Sequence, residues 1–376
     1  MNWSLNRLTV CCLFLLISLM SFSQPGNTGD GIMKTLDGKG QLTKAGIDRF
    51  IQAQMDTLNI VGLSIALIDN ERVVYNRTFG MKDKEKGEKV DKNTLFEAAS
   101  MTKPLFAYSV LKLARKGVLN LDTPLYKYYP YQDLAQDDRY KKITARMVLS
   151  HTSGLPNWRH EKFQELTIDT EPGSKFEYSG EAYGYLGLVI QHLTGKNLKD
   201  VIQEEVFVPL GMKHSYMVWN DSVAANKAMG YEKAAPTKVF KPLRPHPAGT
   251  LHTEAEDYAR FGIELMKEDK EDNSIFRQMS TPQILGKAPT DGDPDSGIWV
   301  GLGIFIEKTP YGIKYHHGGN NGDFMGNFQF FKQQRSGYAF FMNCDKMPQF
   351  LENLNKFLSG SAKTTQVTDG SKEKKN

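Results

Sequence analysis

The chain has 376 residues, 40% of them hydrophobic, and 47 Lys and Arg stand against 43 Asp and Glu for a formal charge of +4. The sequence pI of 8.6 overstates the basicity, because Arg7 and the lysine-rich tail from Lys363 carry most of the excess. No basic stripe runs through the body, so nucleic acid and anionic membrane surfaces are not expected partners.

Arg7, the apolar run 8–20 and Ser21-Phe22-Ser23 read as an export signal over residues 1–23. The run is too short to span a bilayer comfortably. A periplasmic or secreted protein without an integral membrane segment is therefore expected, starting near Gln24. Cys11 and Cys12 leave with the signal, and the remaining Cys344 follows an apolar run, which suits a buried thiol. Without disulfides an exported chain relies on its core, and some 350 residues of this composition are ample.

From residue 60 the pattern is a hairpin, with strands over 61–69 and 73–79 and a turn at Asn70-Glu71-Arg72. Residues 96–116, FEAASMTKPLFAYSVLKLARK, then fit one amphipathic helix, with Ala107, Val110, Leu111 and Ala114 at helical spacing from Lys103. Pro104 marks its first turn, where a missing N–H costs least. Ser100 sits there too, in the field of unpaired amides and one turn from the Lys103 amine. The Ser-x-x-Lys pattern recurs at Ser109 with Lys112 and at Ser371 with Lys374. Mid-helix, Ser109 is expected to bond back to the preceding turn, and the tail pair has no apolar frame. Taken alone, the stretch leaves Ser100 open as a helix cap or as a nucleophile.

Residues 120–250 are rich in helical patterns. Aromatic and β-branched runs at 298–307, 314–316, 324–331 and 338–342 then read as strands, followed by a helix over 348–358. Strands at both ends and helices between them suggest one sheet built from both ends of the chain. The division expected is a discontinuous sheet domain, 24–120 with 250–360, a helical domain over 121–249 and a disordered tail over 361–376. Glu256 and Asp257 read as the exposed face of a helix. His160, His214, His246 and His252 lack metal spacing, and no phosphate-cradling loop occurs, so neither metal nor nucleotide cofactor is expected.

Several segments in order carry a family likeness: 96–103, GVLNLDTPLYKYYP (117–130), ITARMVLSHTSGLP (143–156), PGSKFEYSGEAYGYLG (172–187), PLGM (209–212), AGTLHTEAEDYARF (248–261) and HHGGNNGDF (316–324). Together they resemble the class C β-lactamase and D-alanyl-D-alanine carboxypeptidase family of serine hydrolases, which includes esterases and D-aminopeptidases. The likeness runs from about residue 45 to 345. It implies an α/β (α+β) fold of β-lactamase/transpeptidase type, an antiparallel sheet flanked by helices beside an inserted, mostly helical domain. It also makes Ser150-His151-Thr152-Ser153 a structural loop.

The resemblance implies three elements at a cleft between the two parts. Ser100 would be the nucleophile and Lys103 the amine that takes its proton, which requires a pKa well below the free value of about 10.4. Tyr178 of Tyr178-Ser179-Gly180 stands where the family has Tyr-x-Asn and would share the proton work. Gly180 departs from that pattern and has no side chain to hold Lys103 or bond a substrate amide, which favours ester over amide or β-lactam cleavage. The glycine-rich turn His317-Gly318-Gly319 stands for the family's Lys/His-x-Gly, with a register starting at His316 as the alternative. A backbone N–H near Asn320 would join that of Ser100 in an oxyanion hole. An unperturbed imidazole at His317 is mostly neutral at pH 7, so preference for anionic substrates is expected to be weak and pH-dependent.

The function expected is an exported serine hydrolase forming an acyl-enzyme on Ser100, with a carboxylic ester or small acyl compound as substrate. D-amino-acid peptides or β-lactams are the enzymatic alternative. A binding or assembly protein that keeps the fold without turnover is the alternative of another class. Oligomeric state is not legible.

Overall fold

The computed structural model describes residues 31–159, 165–267, 274–290 and 296–361. The expected signal over 1–23 and all of the tail but Ser361 lie outside them. Among the described residues no helix is long and apolar enough to cross a membrane.

The centre is a nine-stranded antiparallel sheet made from both ends of the chain. Its early strands are β1 (Gly62–Asp69), β2 (Arg72–Asp83) and β3 (Glu88–Lys89). The late strands are β4 (Ile284–Lys287), β5 (Ile298–Val300), β6 (Phe305–Thr309), β7 (Gly312–Asn320), β8 (Met325–Phe331) and β9 (Ser336–Met342). Across the sheet the order is β4-β5-β6-β7-β8-β9-β1-β2-β3. The two ends of the chain meet where β9 pairs with β1, Phe340 opposite Ile65 and Met342 opposite Leu63.

Successive side chains of a strand point to opposite faces, and here both faces are covered. Leu63, Ile65 and Leu67 enter one hydrophobic cluster while Ala66 and Ile68 enter the other. That explains why the β1 sequence is a continuous apolar run rather than an alternating one. One face packs against α1 (Lys44–Leu58) and α5 (Met347–Ser359), which themselves meet through the stacked rings of Phe50 and Phe357. The other receives α2 (Thr102–Arg115) and α4 (Ala255–Met266), with Tyr258 and Phe261 against Phe328. The same cluster continues through Phe106 and Tyr183 into α3 (Gly180–Thr194) and the other short helices between the two halves of the sheet.

Three details differ from the sequence reading. Ser100 lies in a separate 3₁₀ turn, Ala99–Met101, ahead of α2. The His317-Gly318-Gly319 triplet is no turn: it belongs to β7, and the chain reverses only at residues 321–324. Asp257 is not on an exposed face. It is 3% exposed, and its Oδ2 accepts from the backbone N–H of His214 at 2.6 Å and from Ser215 Oγ at 2.9 Å. These two bonds tie the loop after Pro209–Met212 to α4, and burial raises the Asp257 pKa. Asp257→Ala removes the acceptor of the His214 N–H and one of the two partners of Ser215 Oγ, and is expected to cost roughly 2 kcal/mol, read as a lowered thermal unfolding midpoint; an unchanged midpoint would refute the role given to this carboxylate.

Candidate active site

The serine turn is held in an unusual conformation. Ala99, just before Ser100, has φ +46°, a left-handed value that a residue with a side chain adopts only when its surroundings enforce it. The enforcement is visible. Ala98 N–H donates to Leu251 O at 2.8 Å, Thr102 Oγ donates to Ala99 O at 2.7 Å, and the buried Tyr258 hydroxyl donates to Met101 O at 2.7 Å. The turn therefore presents Ser100, partly exposed, at the head of α2.

Lys103 follows one turn later with 0% exposure. Its Nζ donates to Ser100 Oγ at 3.1 Å and to the carbonyl of Ala248, also at 3.1 Å. It lies 4.7 Å from the ring centre of Tyr178 and 5.6 Å from that of Tyr183. Burial disfavours the ammonium form and brings its pKa down to about 7. A substantial fraction is thus a free amine at neutral pH, in contact with the hydroxyl it would deprotonate.

Tyr178 arrives from the helical side. Ser179 caps α3, its Oγ accepting from Ala182 N–H at 2.9 Å while donating to Pro156 O at 2.8 Å. Burial pushes the Tyr178 pKa up to about 12, although the Ser100 side chain acts in the opposite direction. It therefore rests as phenol, not phenolate. His151 fixes the ring: its plane stacks on Tyr178 at 4.2 Å, and its Nδ1 accepts from Ser179 N–H at 3.1 Å. Its backbone has φ +56°, and burial first, then the Lys103 charge, holds the imidazole neutral. The loop 150–153 thus supplies a support for the phenol, a contact without any sequence signal.

The third element comes from β7. β6 ends opposite His316, so residues 317–320 are paired only with β8 and turn their other edge toward the serine turn. Gly319 permits the approach, since a methyl group there would collide with Ala98 O. His317 shares the Gly319 face, and its ring lies 6.4 Å from that of Tyr178. Asn320 is exposed at the strand's end. Lys103 touches both Ser100 and Tyr178, and Gly319 abuts the serine turn.

The pH-dependent behaviour expected of His317 is not supported. It is 2% exposed, and burial, with the charge of Lys103, pulls its pKa down to about 3. Its Nδ1 bonds to Gly318 O at 2.7 Å, so Nδ1 carries the proton and Nε2 is a bare acceptor, buried without a partner. Between pH 5.5 and 8 this side chain does not change charge.

The slot beside Gly180 is filled by a residue that sequence reasoning missed. A methyl group at Gly180 would lie 2.8 Å from both Asn157 O and Cη2 of Trp158. The Trp158 ring also packs against His246 at 5.4 Å. The only hint in the sequence was the glycine.

Comparison with known proteins gives the family and the fold. The model of the Beta-lactamase family matches residues 47–359. Protein flp of Staphylococcus aureus (strain MRSA252) is 27% identical over 332 residues, 82% of this chain and 65% of the relative, so the chain spans about two thirds of the length of that relative. Esterase EstB of Burkholderia gladioli is 28% identical over 197 residues, 45% of this chain and 50% of its own. A solved class C beta-lactamase superposes with a TM-score of 0.72 at 22% identity, covering 85% of this chain and 96% of that one, a likeness of fold.

Replacing the buried amine separates chemistry from stability. Lys103→Met is expected to lower kcat/KM on any turned-over substrate by about 10³-fold, and the native rate should rise with pH through about 7 as the amine loses its proton. The unfolded lysine stays charged to about pH 10.4, so between pH 7 and 10 the unfolded state holds more protons and native stability rises with pH. Below pH 7 the native fold bears the full cost of a buried charge. Lys103→Met should accordingly unfold at a higher temperature than the native protein at pH 6, with the gap closing toward pH 10; a lower midpoint at pH 6 would contradict the burial argument.

Proposed function

We propose, on the premise that the chain belongs to the beta-lactamase family, that it is a serine hydrolase acting through an acyl-enzyme on Ser100, with a carboxylic ester as substrate. The observation that carries this reading is the desolvated Lys103 amine 3.1 Å from Ser100 Oγ. Ser100 Oγ attacks the ester carbonyl carbon while its proton passes to Lys103 Nζ. The tetrahedral oxyanion is received by the backbone N–H groups of Ser100 and of the β7 end near Asn320. Collapse breaks the bond to the alcohol oxygen, which takes a proton from Tyr178 as Tyr178 is reprotonated by Lys103. Water then attacks the acyl carbon, again with Lys103 as base, and the acid leaves with Ser100 restored.

The preference for esters rests on two features. Gly180 offers no side-chain amide to a substrate amide, and Trp158 stands over it. An alkoxide is also a better leaving group than an amine, so less is asked of the site. The neutral His317 gives no fixed cation for a substrate carboxylate. Residues 1–23 support an exported location for this activity.

Intact-mass analysis after treatment with a serine-directed phosphonate is the first test: one adduct on the native protein and none on Ser100→Ala is expected, whereas an unmodified native protein would favour the non-catalytic binding alternative. On a panel of p-nitrophenyl esters, D-alanyl dipeptides and nitrocefin, esters should lead in kcat/KM by about tenfold or more; a lead for either of the others would overturn the ester assignment. His317 also gives a charge test. A neutral ester and a matched carboxylate-bearing ester should show parallel pH profiles from 5.5 to 8, and His317→Lys should shift the ratio toward the carboxylate-bearing one. Diverging profiles in the native protein would show that His317 titrates in this range.

A further inference from the structure

A cavity of about 700 Å³ that the proton chemistry does not use is lined by Gly249, Asn321 and Trp158. Two of its lining residues are chain neighbours of residues at the site. Gly249 follows the Ala248 carbonyl that holds Lys103, and Asn321 follows Asn320. Its other walls include Phe240, Pro242 and His246.

Two of these are large apolar side chains left in water, Trp158 at 54% exposure and Phe240 at 50%, and the 80% exposed Leu243 sits between two lining residues. Exposed apolar surface gathered around one concavity marks a binding site more than a solubility accident. The indole is exposed yet anchored. One side rests on Gly180 and against the His246 ring. The next residue, Arg159, is held by Glu181 at 2.9 Å, by Asp133 at 2.8 Å and by the Tyr131 hydroxyl at 3.0 Å. An aromatic face fixed in advance loses little entropy when a flat apolar group stacks on it.

The polar groups of the cavity fit an uncharged guest. Glu97 is paired with Lys227 at 3.0 Å and accepts from Asn321 at 2.7 Å, and Asp323 accepts from Thr237. Glu232, Lys238 and Arg244, of both signs, are exposed along its lining. His246 accepts from Ala248 N–H through Nδ1 at 3.2 Å, which puts its proton on Nε2. Burial, with the Lys103 charge, brings its pKa down to about 4, so it is a neutral donor at working pH.

Building on the ester reading above, we propose that Trp158 and Phe240 form an apolar subsite beside Ser100 that selects uncharged esters carrying a bulky aromatic group. The aromatic group stacks between the indole and the phenyl ring, and His246 offers a neutral donor beside it.

The test uses the purified protein and two matched pairs of neutral esters. One pair varies the acyl side, p-nitrophenyl phenylacetate against p-nitrophenyl acetate; the other varies the alcohol side, benzyl acetate against methyl acetate. The native protein should prefer the aromatic member of at least one pair, and Trp158→Ala and Phe240→Ala should each reduce that preference, as a ratio of kcat/KM, by about tenfold, while Trp158→Phe keeps most of it. The ratio is internal to each preparation, so a loss of folded protein does not move it. The pair that responds tells which end of the ester occupies the cavity. Ester turnover with native ratios unchanged in both alanine variants overturns the subsite and leaves the ester reading standing. No Ser100-dependent turnover of any ester overturns both.

Discussion

One buried amine sets the conditions for everything around it. Lys103 is useful as a base only if it is uncharged near pH 7, and here it is brought there by exclusion of water while its hydrogens still find acceptors. Ser100 Oγ provides one acceptor and Ala248 O the other, the latter 145 residues away in the chain. The rings of Tyr178 and Tyr183 close the remaining sides. They come from three separate segments, so no local stretch could make the amine reactive by itself. The left-handed backbone at Ala99 is a further cost, and the bonds from Thr102 and Tyr258 hold the turn in that form.

The architecture places these segments by sharing the work between the sheet and the helices beside it. β7 offers an edge free of strand pairing beyond His316, and the serine turn fits against it because Gly319 has no side chain. Tyr178 enters at the N-terminus of α3, a position fixed by a cap that bonds back to Pro156. The phenol is thus set by helix-terminus geometry and by the stacked His151 ring rather than by a flexible loop. Reactive groups held this way lose little freedom when substrate arrives.

What the sequence made legible follows the range of the interactions involved. The spacing of Ser100 and Lys103 is local, and so are the apolar runs of β1, β8 and β9, which is why the proximity of that pair and the strands could be read directly. The bond from the mid-helix Ser109 back to Phe106 O is local too. Asp257 was misread because its partners, His214 and Ser215, lie more than forty residues away; on its own helix it looks like any first-turn acid. His317 was misread for a related reason, since the protonation of an imidazole depends on burial and on a distant lysine, and neither is written in its neighbours. Trp158 was invisible because an indole resting on a glycine 22 residues on leaves no pattern in either segment.

These readings converge on how the base is tuned. A second cation near Lys103 would lower its pKa by repulsion, but the groups around it are uncharged at neutral pH: His151 and His317 are held neutral by burial and by the lysine itself, and Tyr178 keeps its proton. Desolvation is left as the means of bringing the amine to about 7. Tuning by repulsion would survive some loosening of the packing, because charge acts over several ångströms. Tuning by desolvation tolerates less, because packing loose enough to let bulk solvent surround Nζ favours the ammonium again. The tight aromatic packing of Tyr178, Tyr183 and His151 is therefore part of the acid–base chemistry, and a chain with a neutral histidine at 317 depends on that packing more than one with a lysine there would.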